Sequence, residues 1–318
     1  MSSIDTRPSV VMVTVTDDQA GQRLDNFLMT RLKGVPKSAV YRMIRKGEVR
    51  VNKGRAKPEH KLDVGDVVRV PPARTKPVAE TAPFIGDGLK SQLEGAILYE
   101  DDGLVVLNKP SGLAVHGGSG VSLGVIEALR QMRPSQRFLE LVHRLDRDTS
   151  GCLMIAKKRS VLKKLHDDLR VGNMQKTYLA LLWGRWNGLE HRVEAPLRKF
   201  HLASGERVVR VSTEGKPSLT LFRQLELFEN ATLVEAKPIT GRTHQIRVHA
   251  QHAGHPIAGD DKYLHREQAV YFEDKGLKRL FLHAASLELQ NLEGHKQVFS
   301  APLPQELELI LNRLRENV

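Results

Sequence analysis

The run His143-Arg144-Leu145-Asp146-Arg147-Asp148-Thr149-Ser150-Gly151 sets two carboxylates and two guanidiniums in one short stretch between apolar segments. It is too charged to be core. Its flanks, Leu139 to Val142 and Leu153 to Ala156, read as short buried strands, so rigid structure holds the loop at both ends and makes it a good mount for a reactive group. A surface ion-pair network of Arg144, Asp146, Arg147 and Asp148 fits the same residue types. A kinase catalytic loop does not, because the downstream Asn, the glycine-rich loop and a D-F-G are all missing.

Three other segments carry groups that suit chemistry. Lys109-Pro110-Ser111-Gly112-Leu113-Ala114-Val115-His116 follows a buried strand and is a shaped turn. Lys176 to Trp183 is a hydrophobic strand with Tyr178 as its one phenol, a residue that a core alone would also explain. Thr240 to His249 is basic, opens on Gly241 and continues as a helix to Gly254; its arginines suit an anion site or a solvated face. The run Gly117-Gly118-Ser119-Gly120 lacks the Lys-Ser/Thr ending of a P-loop, so a flexible loop is expected and ATP use is not. His244, His249, His252 and His255 match no zinc spacing and have no cysteine cluster beside them, so no metal is expected. The single cysteine, Cys152, reads as a small core residue in a protein of the reducing cytoplasm.

The elements around these groups divide the chain. With 318 residues and 40% hydrophobic content there is room for two domains, no apolar run approaches a membrane span, and no signal peptide is read at the N-terminus. The net charge is +12, and residues 21–75 hold 14 Lys or Arg against 5 Asp or Glu, a footprint for polyphosphate. A lipid-seeking helix would interleave Trp, Phe and Leu with the cations; this segment has one Phe and no Trp. Leu24, Phe27, Leu28 and Leu32 predict one helix. Val40, Met43 and Ile44 predict a second over Ser38 to Lys46 that ends at Gly47, and a hairpin follows through Lys53-Gly54. Pro71, Pro72, Pro77 and Pro83 mark a linker. The expected organisation is an extension (1–20), a basic domain (21–75), a linker (76–92) and a larger domain (93–318). In the last, Ile97–Tyr99 and Leu104–Leu107 form a hairpin, Leu162, Leu165 and Leu169 form a helix capped by Ser160, and Gln305 to Leu314 forms another. Strand-rich signals with irregularly inserted helices predict an α+β fold with a mixed, mainly antiparallel sheet.

Within the basic domain, GQRLDNFL, VPKSAVYRMIRKGEVRVNKGR and LDVGDVV resemble the S4 RNA-binding domain. The resemblance implies docking on structured RNA through shape and phosphates, with Arg23, Lys37, Arg42, Arg45, Lys46, Arg50, Lys53 and Arg55 as the binding cations. Behind it, KPSGLAVH, HRLDRDTSG, the Tyr178 strand, and GRTHQIRVH followed by GHPIAGDDKY resemble the motif series of the RluA family of pseudouridine synthases, a match that spans the chain.

That resemblance implies an enzyme that isomerises uridines of large-subunit (23S) ribosomal RNA, or of its assembly intermediates, at more than one target. It implies a cytoplasmic monomer with no cofactor, no metal and no membrane partner. Asp146 is the implied catalytic carboxylate, acting as nucleophile or as base at the ribose. Arg247 pairs with it and keeps it ionised, Tyr178 packs against the base and assists proton movement, and Arg144 supports flipping of the nucleotide. His143, Lys109, Arg242 and His244 are expected at the substrate, and Asp148 is structural. The competing class is a non-enzymatic RNA-binding or ribosome-assembly factor. Asp146 discriminates between them, because a pure binder has no use for an acid that repels phosphate in a basic cleft.

Overall fold

The computed structural model describes residues 9–16, 19–32, 34–72, 85–117, 123–201, 207–290 and 294–316. Pro77, Pro83 and Gly118-Ser119-Gly120 lie outside these. The chain divides into two units, Met1–Phe84 and Ile85–Val318.

The smaller unit contains β1 (Val11–Thr14), α1 (Leu24–Arg31), α2 (Lys37–Lys46), β2 (Arg50–Val51) and β3 (Val67–Val70). Residues three and four apart on a helix share a face, so Leu24, Phe27 and Leu28 of α1 meet Val40 and Ile44 of α2 in a core with Val49, Leu62 and Val68. Gly47 ends α2 with φ 72°, a left-handed cap that glycine adopts without a Cβ penalty. The three strands run antiparallel in the order β1-β3-β2. Residues 11–15 are therefore not part of an extension: β1 pairs with β3, and Val15 is buried in the same core. Val11 and Met12 are both exposed, so the strand exists through pairing and shows no alternation to read.

The larger unit runs α3 (Asp87–Gly95), β4 (Ile97–Glu100), β5 (Leu104–Lys109), α4 (Val125–Met132), β6 (Glu140–Leu141), β7 (Ser150–Ala156) and α5 (Arg159–Val171). It continues through β8 (Gln175–Trp183), β9 (Glu190–Glu194), β10 (Leu197–His201), β11 (Arg207–Val211), β12 (Leu219–Leu227) and β13 (Ala231–Pro238). It closes with α6 (Gln245–His252), α7 (Arg266–Asp274), β14 (Leu282–Gln290), β15 (Lys296–Ser300) and α8 (Gln305–Arg315). Ten strands make one sheet in the order β4-β5-β7-β14-β8-β13-β12-β9, with β6 on β7 and β15 on β14; β10 and β11 form a separate hairpin. The pairs are antiparallel except β7 with β14.

The central strands read as unbroken apolar runs because both faces are covered. In β5, Val105 and Leu107 enter a core with Leu93 of α3, Leu129 of α4 and Ile246 of α6. Leu104 and Val106 point the other way, toward Val161 and Leu165 of α5. A third core joins Leu181 and Leu233 to Phe272 of α7 and Leu311 of α8.

Two expectations need correction. The linker does not reach residue 92, since Ile85 and Leu93 are buried in the main core and α3 begins at Asp87. Only Leu89 and Leu93 of that helix face the core, too weak an apolar period to register. Helix α5 begins at Arg159 with Lys158 at its cap and no side-chain cap bond, so Ser160 lies inside the first turn. Among the described residues no helix is long and apolar enough to cross a membrane.

Candidate active site

The loop between β6 and β7 enters a cleft of about 1060 Å³, whose other walls are Lys176 and Tyr178 of β8 and the segment from Pro238 to Arg247 that joins β13 to α6. The loop is fixed from behind. Gly112 N–H donates to the Arg147 carbonyl at 3.0 Å, and Ser111 Oγ donates to the Asp148 carbonyl at 2.7 Å. Lys109 Nζ donates to the carbonyls of Pro110, Leu113 and Arg147 at 2.8, 2.9 and 2.9 Å. Lys109 is thus not at the substrate wall, where it was expected. It is fully buried at the end of β5, and its three donors are all used. Burial pulls its pKa down to about 7, opposed by the charge of Asp148.

Beyond the loop, Ser150 is anchored across the parallel β7–β14 junction. His283 Nε2 faces the Ala301 carbonyl at 3.1 Å and so carries the proton, which leaves Nδ1 to accept from Ser150 Oγ at 2.9 Å. Arg279 also donates to Ser150 Oγ at 3.1 Å. Gly151 has φ 108°, and a Cβ there would overlap the Ala284 carbonyl; only glycine lets the strands approach this closely. At the other end of the loop His143 accepts the Met154 N–H at Nε2, 3.2 Å away. Burial, with the nearby Lys176 charge, lowers its pKa to about 3, so His143 is a neutral acceptor.

Asp146 is 29% exposed at its side chain and faces the cleft. Arg247 Nη1 lies 3.6 Å from its Oδ2 and His244 Nε2 lies 3.9 Å away. The tautomer of His244 follows from its neighbours. Tyr263 Oη accepts the Val209 N–H at 3.1 Å and gives its own proton to His244 Nδ1 at 2.8 Å, so the Nε2–H is turned to Asp146. Burial lowers the pKa of His244, against the charge of Asp146. Tyr178 is buried at the cleft wall, and burial together with the Asp146 charge raises its pKa, so the phenol keeps its proton.

The expected pairing of Arg247 changes. Its tight partner is Asp260, held through two 2.7 Å bonds, with Asp261 at 3.2 Å and the Tyr263 ring 5.2 Å beneath the guanidinium. Burial opposes the charge of Arg247, but the carboxylates of Asp260 and Asp146 more than offset it and raise its pKa. Asp146 is a third, longer contact. Asp260 is therefore a site residue that the sequence reading missed. Its signal was the acidic pair Asp260-Asp261 after Gly259 in a basic region. Gly259 has φ 70°, and a side chain there would overlap the Arg279 carbonyl.

The remaining expected residues are distributed as follows. Arg144 is exposed at the cleft. Arg242 is exposed there too, with Nε donating to the Pro217 carbonyl at 3.2 Å. Asp148 pairs with Arg147 at 3.1 Å. The histidines do not converge: His249 bonds Thr220, Ser218 and the Ala195 carbonyl, while His255 bonds the Trp183 carbonyl and stacks on Trp186. Among the described residues no group of three or more His, Cys, Asp or Glu is arranged to hold a metal ion.

In the smaller unit Lys37, Arg42, Arg45, Lys46, Lys53 and Arg55 are exposed. Two of the expected RNA contacts also have partners within the unit. Arg23 forks onto buried Asp25 at 3.1 and 2.7 Å, and Arg50 donates to the Gly47 and Lys53 carbonyls, closing the hairpin.

The RNA pseudouridylate synthase family matches residues 103–252, and the S4 domain matches residues 22–68. Ribosomal large subunit pseudouridine synthase C of Yersinia pestis is 58% identical over 311 residues, which cover 98% of this chain and 97% of that protein. The protein of the same name from Escherichia coli (strain K12) is also 58% identical over 311 residues, covering 97% and 98%. Among solved structures, Human RNA Pseudouridylate Synthase Domain Containing 4 superposes with a TM-score of 0.60 at 30% identity, over 72% of this chain and 96% of its own. With relatives this similar along nearly their whole length, the chain belongs to the RNA pseudouridylate synthase family and carries an S4 domain.

Proposed function

We propose that the chain isomerises specific uridines of large-subunit ribosomal RNA to pseudouridine, at more than one position, with Asp146 acting at the ribose. One observation carries this reading. Among the described residues lining the cleft, five arginines (144, 147, 170, 242 and 247) and Lys176 face Asp146 as the one acid. A surface built only to hold RNA gains nothing from that carboxylate, which repels phosphate.

In the reaction the N1–C1′ bond breaks and a C5–C1′ bond forms. The proton lost from C5 balances the one gained at N1, so no cofactor or water is consumed. Asp146 serves as nucleophile or base beside C1′, and Arg247, itself held by Asp260, fixes the direction from which it acts. Tyr178 presents a protonated phenol to the base and can pass a proton. Arg144 at the mouth fills the space left as the nucleotide leaves its stack. The exposed cations of the S4 domain supply docking through phosphates. Every residue given a role here belongs to one chain, so the reading is of a monomer, acting on ribosomal RNA in the cytoplasm.

The test is to map pseudouridines in ribosomal RNA from cells with and without the gene. We expect the loss of defined large-subunit sites, restored by the wild-type gene. An unchanged map would overturn the reading in favour of an assembly factor.

A further inference from the structure

Lys176 projects from β8 into the cleft two residues before Tyr178, half-buried. Successive side chains of a strand alternate in direction, so Lys176 and Tyr178 share a face about 7 Å apart. Nζ lies beside the β13–α6 segment, where a Cβ on Gly241 would come within 3.8 Å of it. Three arginines of the cleft have acidic partners, Arg247 with Asp260, Arg147 with Asp148 at 3.1 Å and Arg170 with Asp167 at 3.0 Å, while Arg144 and Arg242 are exposed to solvent, unlike half-buried Lys176. Among the described residues Lys176 has neither a carboxylate nor a hydrogen-bond acceptor. Its nearby histidine, His143, is neutral and already occupied by the Met154 N–H.

We infer that Lys176 is a substrate-positioning residue whose ammonium binds a backbone phosphate flanking the target uridine while Tyr178 faces the base. This rests on the reading of the cleft as a uridine-isomerising site. A half-buried ammonium without a counter-ion carries an uncompensated desolvation cost, which an entering phosphate removes. Its spacing from Tyr178 along one strand is on the scale of a single nucleotide. A role in proton transfer fits less well. Among the described residues the ion-pair partners of Asp146 are Arg247 at 3.6 Å and His244 at 3.9 Å, and Lys176 is not one of them.

The test uses the full-length protein, a large-subunit ribosomal RNA transcript, and synthetic RNA around a uridine modified in it. For Lys176→Met we expect KM to rise about tenfold, with kcat changed by less than about threefold. The slope of log affinity against log salt should fall by about 0.7 to 0.9, and Lys176→Arg should recover most of both. On the wild-type protein, one methylphosphonate replacing a phosphate beside the target should raise KM by a similar factor, with no further effect on Lys176→Met. This arm does not depend on the variant folding. A Lys176→Met protein with wild-type KM and salt slope, or with kcat alone reduced, would overturn the inference, as would wild-type indifference to a neutral linkage on either side. If the wild-type protein forms no pseudouridine on the transcript, the functional reading fails and takes this inference with it.

Discussion

In the unit Met1–Phe84 the cations of α2 and of the β2–β3 connection stand in solvent, and Asp25 is the buried charge among the described residues. In Ile85–Val318, Lys109, Arg247 and Asp260 are all buried, together with His249, His283 and Ser150. The difference matches what the proposed function asks of each unit. Solvated cations cost little, act on phosphate at a distance and add nearly independently, which suits a surface that docks RNA by shape. Holding one carboxylate at a reacting carbon needs fixed geometry. That requires buried donors and acceptors which are costly unless every partner is present. Damage should therefore be graded in the first unit and severe in the second.

The severest case is Arg247→Met. It strands the buried carboxylate of Asp260, which has 0% side-chain exposure, and should cost about 3–5 kcal/mol in denaturant unfolding. A loss below about 1 kcal/mol would break the contrast. Lys109→Met follows, because it leaves three carbonyls without a donor; we expect a loss of about 2–3 kcal/mol and faster hydrogen exchange in residues 146–149. Unchanged exchange there would separate Lys109 from the loop.

Acid should distinguish the units next. The Arg23 guanidinium, with the Tyr41 hydroxyl, holds Asp25 down to about 2. Its contribution is present above about pH 4 and lost as pH falls toward 2. It amounts to about 1–2 kcal/mol, because Arg23 is half exposed and water screens the pair. His143 is held neutral to about 3 against an ordinary 6.5, so the larger unit begins to lose stability as pH falls below about 6.5. Hydrogen exchange from pH 7 to 3 should loosen the 143–149 loop before α1, and Asp25→Asn should remove the later step. Simultaneous loss in both would contradict this. The smallest effect belongs to the solvated cations. Arg42, Arg45 and Lys53 changed together to Gln should lower the salt slope of RNA affinity by about two to three, leaving turnover on saturating RNA intact.

What could be read in the sequence follows the same division. Helices α1 and α2 and the strands β5 and β7 announce themselves through local apolar spacing, and the loop carrying Asp146 through charge set between two apolar runs. The buried ion pair does not, because Arg247 and Asp260 meet across 13 residues with no periodic relation. Nor does the burial of Lys109, since a lysine ordinarily reaches solvent. Here the β5–β7 pairing brings the Arg147 carbonyl to it. Strand β1 and helix α3 were missed because each depends on a distant partner more than on its own pattern.

The contrast rests finally on Asp146. Asp146→Asn keeps the shape of the side chain and removes the acid, so it should be assayed for pseudouridine formation in a large-subunit ribosomal RNA transcript and, in parallel, for RNA affinity. We expect turnover to fall below detection while affinity is equal or tighter, because a negative charge has left a basic cleft. Turnover within about tenfold of wild type, a barrier change of only about 1.4 kcal/mol, would contradict the assignment of the chemistry to this carboxylate.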